Sequence, residues 1–425
     1  MSTDSVQPVW RSAALLVVLY LLMGVLSRLL ADGPTQTMPI WLGAAVLFAA
    51  FMRQRSSGLL FLAGWLAAAI WGYAAHDLRL LPCILFGLIE AGAAWLGARL
   101  ATLRMAPPLS LRTVVSLLAG ALLTALLGAT LATQFWSWYL PDINALLEWR
   151  TWALSTLVGI VLVVPVALAF QGFQARRSGG MPRRQFGLGL IAFAIFAALA
   201  LWVFSPQLER MGTSATTLAY LPMPFLLASS MLWGARGGSL AMLTGGLLVM
   251  ARSASGAGPF AVLDAFDGEA VLEAQAFIIL WAVLILFGRG LEDGRRRAME
   301  TAQEWRLRYE RTMQATSTVS VEFDAINGAA TWSPDAARLL GSGIAQVQSM
   351  HDWLEHVDAA SRPFAEAAWQ QARSGQPVQA DSYEIALTGR RLTVQTSLAP
   401  IFGPDGAVEE VAALVRVQAG TAQHV

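Results

Sequence analysis

Lysine is absent from this 425-residue sequence, and all 29 basic residues are arginine. The substitution reflects GC-rich codon usage and costs nothing in reading topology, where the two cations are equivalent. Cysteine occurs once, at Cys83, which excludes an intramolecular disulfide and a cysteine-based metal cluster. Charge is scarce: 13% of residues, against roughly 25% in a soluble protein. The formal net charge of +1 points to no nucleic-acid partner. Only four histidines are present, at 76, 351, 356 and 424. A phospho-acceptor helix, a glycine-rich ATP lid and a cyclase or phosphodiesterase motif are all missing. "GRGLEDG" is no nucleotide loop, because no strand precedes it. The expectation is a protein that is not an enzyme.

The shortage of charge is uneven. From Val9 to Phe287 charged residues are rare and clustered, whereas Gly288 to Val425 has an ordinary soluble composition. Two regions in two solvents follow. A membrane-spanning helix needs about 17–25 apolar residues. Ten candidates meet or approach that: Ala13–Leu30, Met38–Phe51, Leu59–Ala75, Leu80–Ala98, Thr113–Thr133, Trp149–Phe170, Phe186–Phe204, Leu218–Trp233, Ser239–Met250 and Val271–Phe287. The second, the eighth and above all the ninth are short enough to read as half-helices or re-entrant segments. The first run is too long for the core of a signal peptide and reads as a retained span.

Arginine placement supports an even number of crossings. With the N-terminus inside, the inner segments hold Arg11; Arg53 and Arg55; Arg99, Arg104 and Arg112; Arg176, Arg177, Arg183 and Arg184; Arg236; and Arg289 with Arg295–Arg297. The outer segments hold Arg79, Arg150, Arg210 and Arg252 singly, with Arg28 near the outer end of the first span. This is the positive-inside pattern, and it places both termini in the cytoplasm of a bacterium, the spans lying in its plasma membrane. "QFWSWYLPDINALLEWRTW" reads as an outer loop bearing an interfacial aromatic belt. "MPIWLGAAVLFAAFMRQRSSG" and "LPMPFLLASSMLWGARGG" share proline openings, short apolar runs and Arg-Gly exits, which suggests a parallel internal repeat. Frequent Gly, Ala and Ser favour close helix packing in lipid.

Glu90 lies mid-way along an apolar run. A carboxylate there is expensive and does not face lipid. Two readings stand: a neutral Glu hydrogen-bonded to a neighbouring helix, locking the bundle, or a ligand contact or proton site. Thr124 and Trp65 are the polar groups at matching depth. "WGYAAHDLRLLP" puts His76 and Asp77 in a short outer turn, either solvated or functional. "SASGAGPF" ends in Gly258, Pro259 and Phe260, which either line a pocket or turn the chain.

In order along the chain, "MPIWLGAAVLFAAF" with its Trp41, "FLAGWLAAAIWG", "GLIEAGAAWLGARL", "WRTWALSTLVGIVLVVPVALAF" and the stretch from "LPMPF" to "GAGPF" resemble the first type of membrane-associated sensor domain (MASE) of bacterial signalling proteins. The resemblance implies an integral sensory input domain, commonly fused to a kinase or cyclic-dinucleotide output. It maps the family's glutamate onto Glu90 and its Gly-Pro-Phe onto residues 258–260. Where the family's sixth helix often carries an acid after its Trp pair, this chain has Ser155 and Thr156, so that acid's role is in doubt here.

Leu291, Ala298 and Trp305 recur every seven residues, with Ala302 and Tyr309 four after two of them. They form a short coiled-coil-like seam that reads either as a plain connector or as a signalling helix in a dimer. After about residue 316 the pattern turns to strands: "STVSVEFDA", a turn at Asn327-Gly328, and "NGAATWS". Ser333 reads as an N-cap with Pro334 at the first helical position, and a longer helix ends at Gly375. Three more strands follow, "VQADSYEIAL", "RRLTVQTSLAPIF" and "EEVAALVRVQ". This block resembles a PAS domain, with the usual His-Pro-x-Asp turn altered to "HVDA". His351 and His356 read as solvated or capping, no cysteine is available for a flavin, and the pocket holds either a small metabolite or nothing.

The expected molecule is a multi-pass α-helical bundle of about ten spans (residues 1–287), a helical linker (288–315), a PAS-like domain with a five-stranded antiparallel sheet (316–420) and a tail (421–425). The expected role is sensory: lipid-embedded input, homodimerisation through linker and PAS domain, and a separate histidine kinase or cyclic-dinucleotide enzyme as output. The alternative is a secondary transporter or permease regulated by its PAS domain. The sequence predicts no cofactor and no metal. Glu90, Trp41, Trp65, His76, Asp77 and the Gly-Pro-Phe triplet are the candidate sensing residues.

Overall fold

A computed structural model describes residues 9–31, 38–53, 58–103, 110–140, 142–171, 173, 180–205, 217–260, 269–379, 382–387, 390–418 and 423–424. Arg55, Arg104, Arg176, Arg177 and Arg210, which the topology argument uses, lie outside these residues. Two compact units divide the chain, residues 1–296 and 297–425.

Ten helices of ten or more residues begin in the first unit among the described residues: α1 (Val9–Leu29), α2 (Leu42–Arg53), α3 (Gly58–His76), α4 (Leu80–Leu103), α5 (Leu111–Tyr139), α6 (Ala145–Ala169), α7 (Arg183–Val203), α8 (Met223–Leu232), α9 (Gly234–Ala254) and α10 (Glu269–Ala315), whose last residues belong to the second. Seven are long and apolar enough to cross a membrane, and α2 and α8 are shorter. The distribution of side chains is that of a protein dissolved in hydrocarbon. Leu15, Leu22, Leu62, Leu188 and Leu284 are exposed, while the interior is built from alanine and small residues such as Ala45, Ala67, Ala94 and Ala121. Where lipid is as apolar as leucine, close approach of helices carries the association. At the α4–α5 crossing a side chain on Gly97 would overlap the Gly120 carbonyl, and one on Gly120 the Gly97 carbonyl.

Three expectations are revised. The ninth candidate is a full helix of 21 residues, because Gly234 to Gly238 is helical rather than a loop. The supposed outer loop between the fifth and sixth spans shrinks to a few residues, since α5 runs to Tyr139 and α6 begins at Ala145. In that loop's aromatic belt only Trp138 is strongly exposed, and Trp136 is buried. The two supposed repeats do share short helices, α2 and α8. Their surroundings differ, because the chain before α2 is buried whereas Leu221 before α8 is exposed.

The second unit is an α+β fold with a PAS-like order of elements. An antiparallel sheet runs β2 (Ala330–Trp332), β1 (Thr318–Asp324), β6 (Val408–Val417), β5 (Arg390–Phe402), β3 (Val378–Gln379). β4 (Tyr383–Leu387) continues the β3 edge along β5, which gives five rows. Two residues of the expected tail, Gln423–His424, form β7 on Arg390 and Arg391. They lie beyond the end of β6, where β5 still has free backbone groups. Asp324 Oδ1 accepts from the Ile326 and Asn327 N–H groups, and Gly328 supplies φ +71°, closing the β1–β2 turn as expected. Helix α11 (Ala336–Leu340) is capped at Asp335 rather than Ser333, and starts two residues later than its sequence signature. α12 (Met350–His356) and α13 (Arg362–Arg373) cover the sheet. Val319, Val321, Phe323, Trp353 and Trp369 form the core between them.

Candidate functional site

The residues Met38 to Leu42 precede α2 without being helical until Leu42. Their side chains alternate as an extended chain dictates. Ile40 and Leu42 enter one hydrophobic core with α7–α10, while Trp41 enters another with α1–α6. Because a buried backbone must find partners, three helices supply them, and a fourth holds the Trp41 side chain. The Trp41 N–H donates to the Ser155 carbonyl of α6 at 3.0 Å, and the Leu42 N–H to Ser27 Oγ of α1 at 2.9 Å. Gln275 Nε2 of α10 donates to the Pro39 carbonyl at 2.8 Å. The Trp41 indole N–H donates to the Glu90 carboxyl of α4. Gly159 of α6 makes the approach feasible, since any Cβ there would overlap the Trp41 carbonyl.

Glu90 is buried, at 4% exposure, as the apolar run demands. Of the two readings of this residue, the geometry supplies a neighbouring-helix bond outright. It also places the carboxyl one residue behind a cavity, because its partner Trp41 lines a space of about 300 Å3. That cavity lies at the C-terminal ends of α3 and α5 and the N-terminal ends of α4 and α6. Trp71, His76, Phe86, Trp136 and Trp152 contribute rings to it, and Glu148 a carboxyl. The rings touch in sequence: Tyr20–Trp41 at 5.9 Å, Trp41–Trp71 at 5.6 Å, His76–Trp136 at 5.4 Å and Phe86–Trp152 at 5.9 Å between centroids.

The sequence candidates therefore divide. Trp41 and His76 line the cavity and Glu90 backs it. Asp77 is exposed in the turn beyond α3 with φ +50°. Trp65 donates to the Ile84 carbonyl at 3.1 Å, an α3–α4 tie outside the cavity. Gly258, Pro259 and Phe260 are buried in the other core, where Phe260 stands 5.8 Å from Phe204 and 5.5 Å from Phe277. Sequence reasoning missed Glu148, Trp71 and Gln275. Glu148 sits in the first turn of a helix that begins earlier than the apolar run shows, and Gln275 is a lone amide two residues after Glu273.

At the opposite end, α10 is held again. Buried Arg289 donates through Nη1 to the Ala235 carbonyl at 3.0 Å. Gly290 lies beside Leu111, the first residue of α5, whose Trp136 is on the cavity. Twenty-five residues separate Leu111 and Trp136, about 37 Å at 1.5 Å per residue. In the second unit His351 pairs with Glu355 at 3.5 Å, and His356 Nδ1 lies 2.8 Å from the Asp352 carbonyl. No cluster of three potential metal ligands occurs among the described residues. Trp353 donates to the Tyr383 hydroxyl at 3.1 Å across a core space of about 10 Å3, room for one water.

The family model MASE1 matches residues 10–290, two-thirds of the chain and the whole of the bundle just described. The chain belongs to the MASE1 family. Its MASE1 domain includes the cavity, the Met38–Leu42 segment and both anchors of α10. No curated protein matches the chain. Among solved structures, it is similar to a domain described as part of a light and redox sensing histidine kinase from Haloarcula marismortui. That domain is 20% identical over 26% of this chain and 97% of its own, with a TM-score of 0.21. An RNA-binding light-oxygen-voltage receptor is 20% identical over 24% of this chain and 29% of its own, again with a TM-score of 0.21. A MASE1 membrane sensor domain followed by a PAS-like domain makes this a membrane-bound sensory signal-transduction protein.

Proposed function

We propose that the MASE1 cavity is the input site and that α10 carries its state to the PAS-like domain, which engages a separate output protein. One observation supports this most: the same five-residue segment lines the cavity through Trp41 and accepts from α10 through Pro39. A ligand that shifts Trp41 has to keep or break the buried Gln275–Pro39 bond. An unpaired buried amide costs about 1–3 kcal/mol, enough to bias two arrangements of α10 against each other. On this reading the protein catalyses nothing and acts as a homodimer in the bacterial plasma membrane, with both termini in the cytoplasm. Its partner is a histidine kinase or a cyclic-dinucleotide enzyme. Leu291, Trp305 and Tyr309, at 59%, 65% and 48% exposure, leave an apolar seam on α10 for a second copy to cover.

The full chain carrying Cys83→Ala and Trp305→Cys tests it, with disulfide cross-linking read in native membranes. Gln275→Leu and Trp41→Phe are each expected to change the cross-linking rate by about fivefold or more, the low end of allosteric coupling. Equal rates in all three proteins would refute the relay. Solute uptake by reconstituted vesicles with no such change would put a transporter in its place.

A further inference from the structure

The cavity's chemistry selects a class of ligand. Six of its twelve lining residues carry aromatic rings, and general principle gives such a cage an affinity for organic cations. Its lining charge is the Glu148 carboxyl, half-buried on the first turn of α6. A second carboxyl, Glu90, stands behind Trp41. No arginine is among its lining residues. A half-buried carboxylate gains most from a cation that arrives already weakly hydrated, and an N-alkylated ammonium ion meets that description. An anion of the same shape would meet Glu148 instead. The volume, about 300 Å3, is at the lower limit for small-molecule sites and restricts the ligand to a compact one.

We propose that this cavity binds a small organic ammonium ion, quaternary or N-alkylated. Its role as the signal rests on the sensory reading above; its binding does not. The rings hold the cation and Glu148 neutralises it. The chemistry is shared by a free solute and by the headgroup of a choline lipid.

Full-length protein in a maltoside detergent is titrated calorimetrically with three molecules of one shape: choline, its neutral carbon isostere 3,3-dimethylbutanol, and the anion pivalate. Choline is expected to bind saturably and at least about tenfold more tightly than either of the others, the scale of a desolvated cation–π contact. Glu148→Gln is expected to remove about that factor for choline and to leave the isostere unchanged. Trp136→Leu is expected to weaken choline while an unchanged melting curve shows that the bundle is intact. Equal affinity for choline and the isostere would make the cavity merely apolar. Preference for pivalate, or no binding of choline to the wild type, would overturn the proposal. Nanodiscs separate the sources: phosphatidylcholine discs weaken free choline, relative to phosphatidylglycerol discs, if the headgroup occupies the site, and leave it unchanged if the ligand is a solute. Choline that binds without altering cross-linking at position 305 leaves the site standing and removes the sensory reading. Absent binding, with Gln275→Leu still altering cross-linking, does the reverse.

Discussion

At the scale of single residues, the Trp41–Glu90 bond is the most consequential pair in the bundle. Both partners are buried, at 5% and 4% exposure, so removing the donor strands a carboxyl in a medium without water. Trp41→Phe is expected to cost about 1–3 kcal/mol, read as a lower melting temperature in detergent. Glu90→Gln keeps an acceptor oxygen and should melt close to the wild type; if it also signals normally, the proton-site reading of Glu90 is retired. In the soluble unit Asp352 closes a capping box with Ser349 and accepts from the Gln348 and Ser349 N–H groups at 3.0 Å each. The Gln348 N–H, then the Ser349 side chain, holds its carboxyl below the usual carboxylate range. A depressed folded-state value means that the stabilisation is present above the unfolded value, about 3.9, and lost as pH falls through the folded one. The protection factors for hydrogen exchange at Gln348 and Ser349, taken relative to the intrinsic rate at each pH, should therefore fall in acid below about pH 4, and Asp352→Asn should flatten that acid limb. A pH-independent protection factor in the wild type would contradict it.

At the scale of elements, the decisive object is the extended approach to α2. It exists because Pro39 lacks an N–H and biases the residue before it away from helix, and because α6 presents Gly159 where the chain passes. Gly159→Ala forces a methyl group onto the Trp41 carbonyl. The expected cost is about 1–3 kcal/mol of overpacking, together with a displaced Trp41 and altered cross-linking at position 305. A fully wild-type melting curve and cross-linking rate would show that the segment can step aside. Proline openings, the lone Glu and the short run of α2 were all visible in the sequence. Their mutual contacts were not, because Gln275 follows Pro39 by more than two hundred residues and no local pattern links them. For the same reason Trp136 and Trp152 resembled an interfacial belt: periodicity reports that a ring is near a helix end, and only the neighbouring helices decide whether it faces lipid or a cavity.

At the scale of the whole molecule, the arginine distribution makes the sharpest claim. A reporter fused after Val425 is expected to be active when its activity requires the cytoplasm, and silent when it requires the periplasm. The opposite result would invert every span and put the PAS-like unit outside.

The sequence by itself determined what is set by solvent and by short range. Apolar runs of spanning length fixed the helices, period-two alternation and the Asn-Gly turn fixed the sheet, and a 13% charged composition divided the chain between lipid and water. The tertiary structure alone decided which polar groups meet: Trp41 with Glu90, Pro39 with Gln275, Glu148 with a cage of rings. In a membrane the apolar pattern is nearly uniform around each helix, since lipid and core are equally hydrophobic. It therefore carries little record of which face turns inward, and that record is written in the contacts of small and polar side chains between helices.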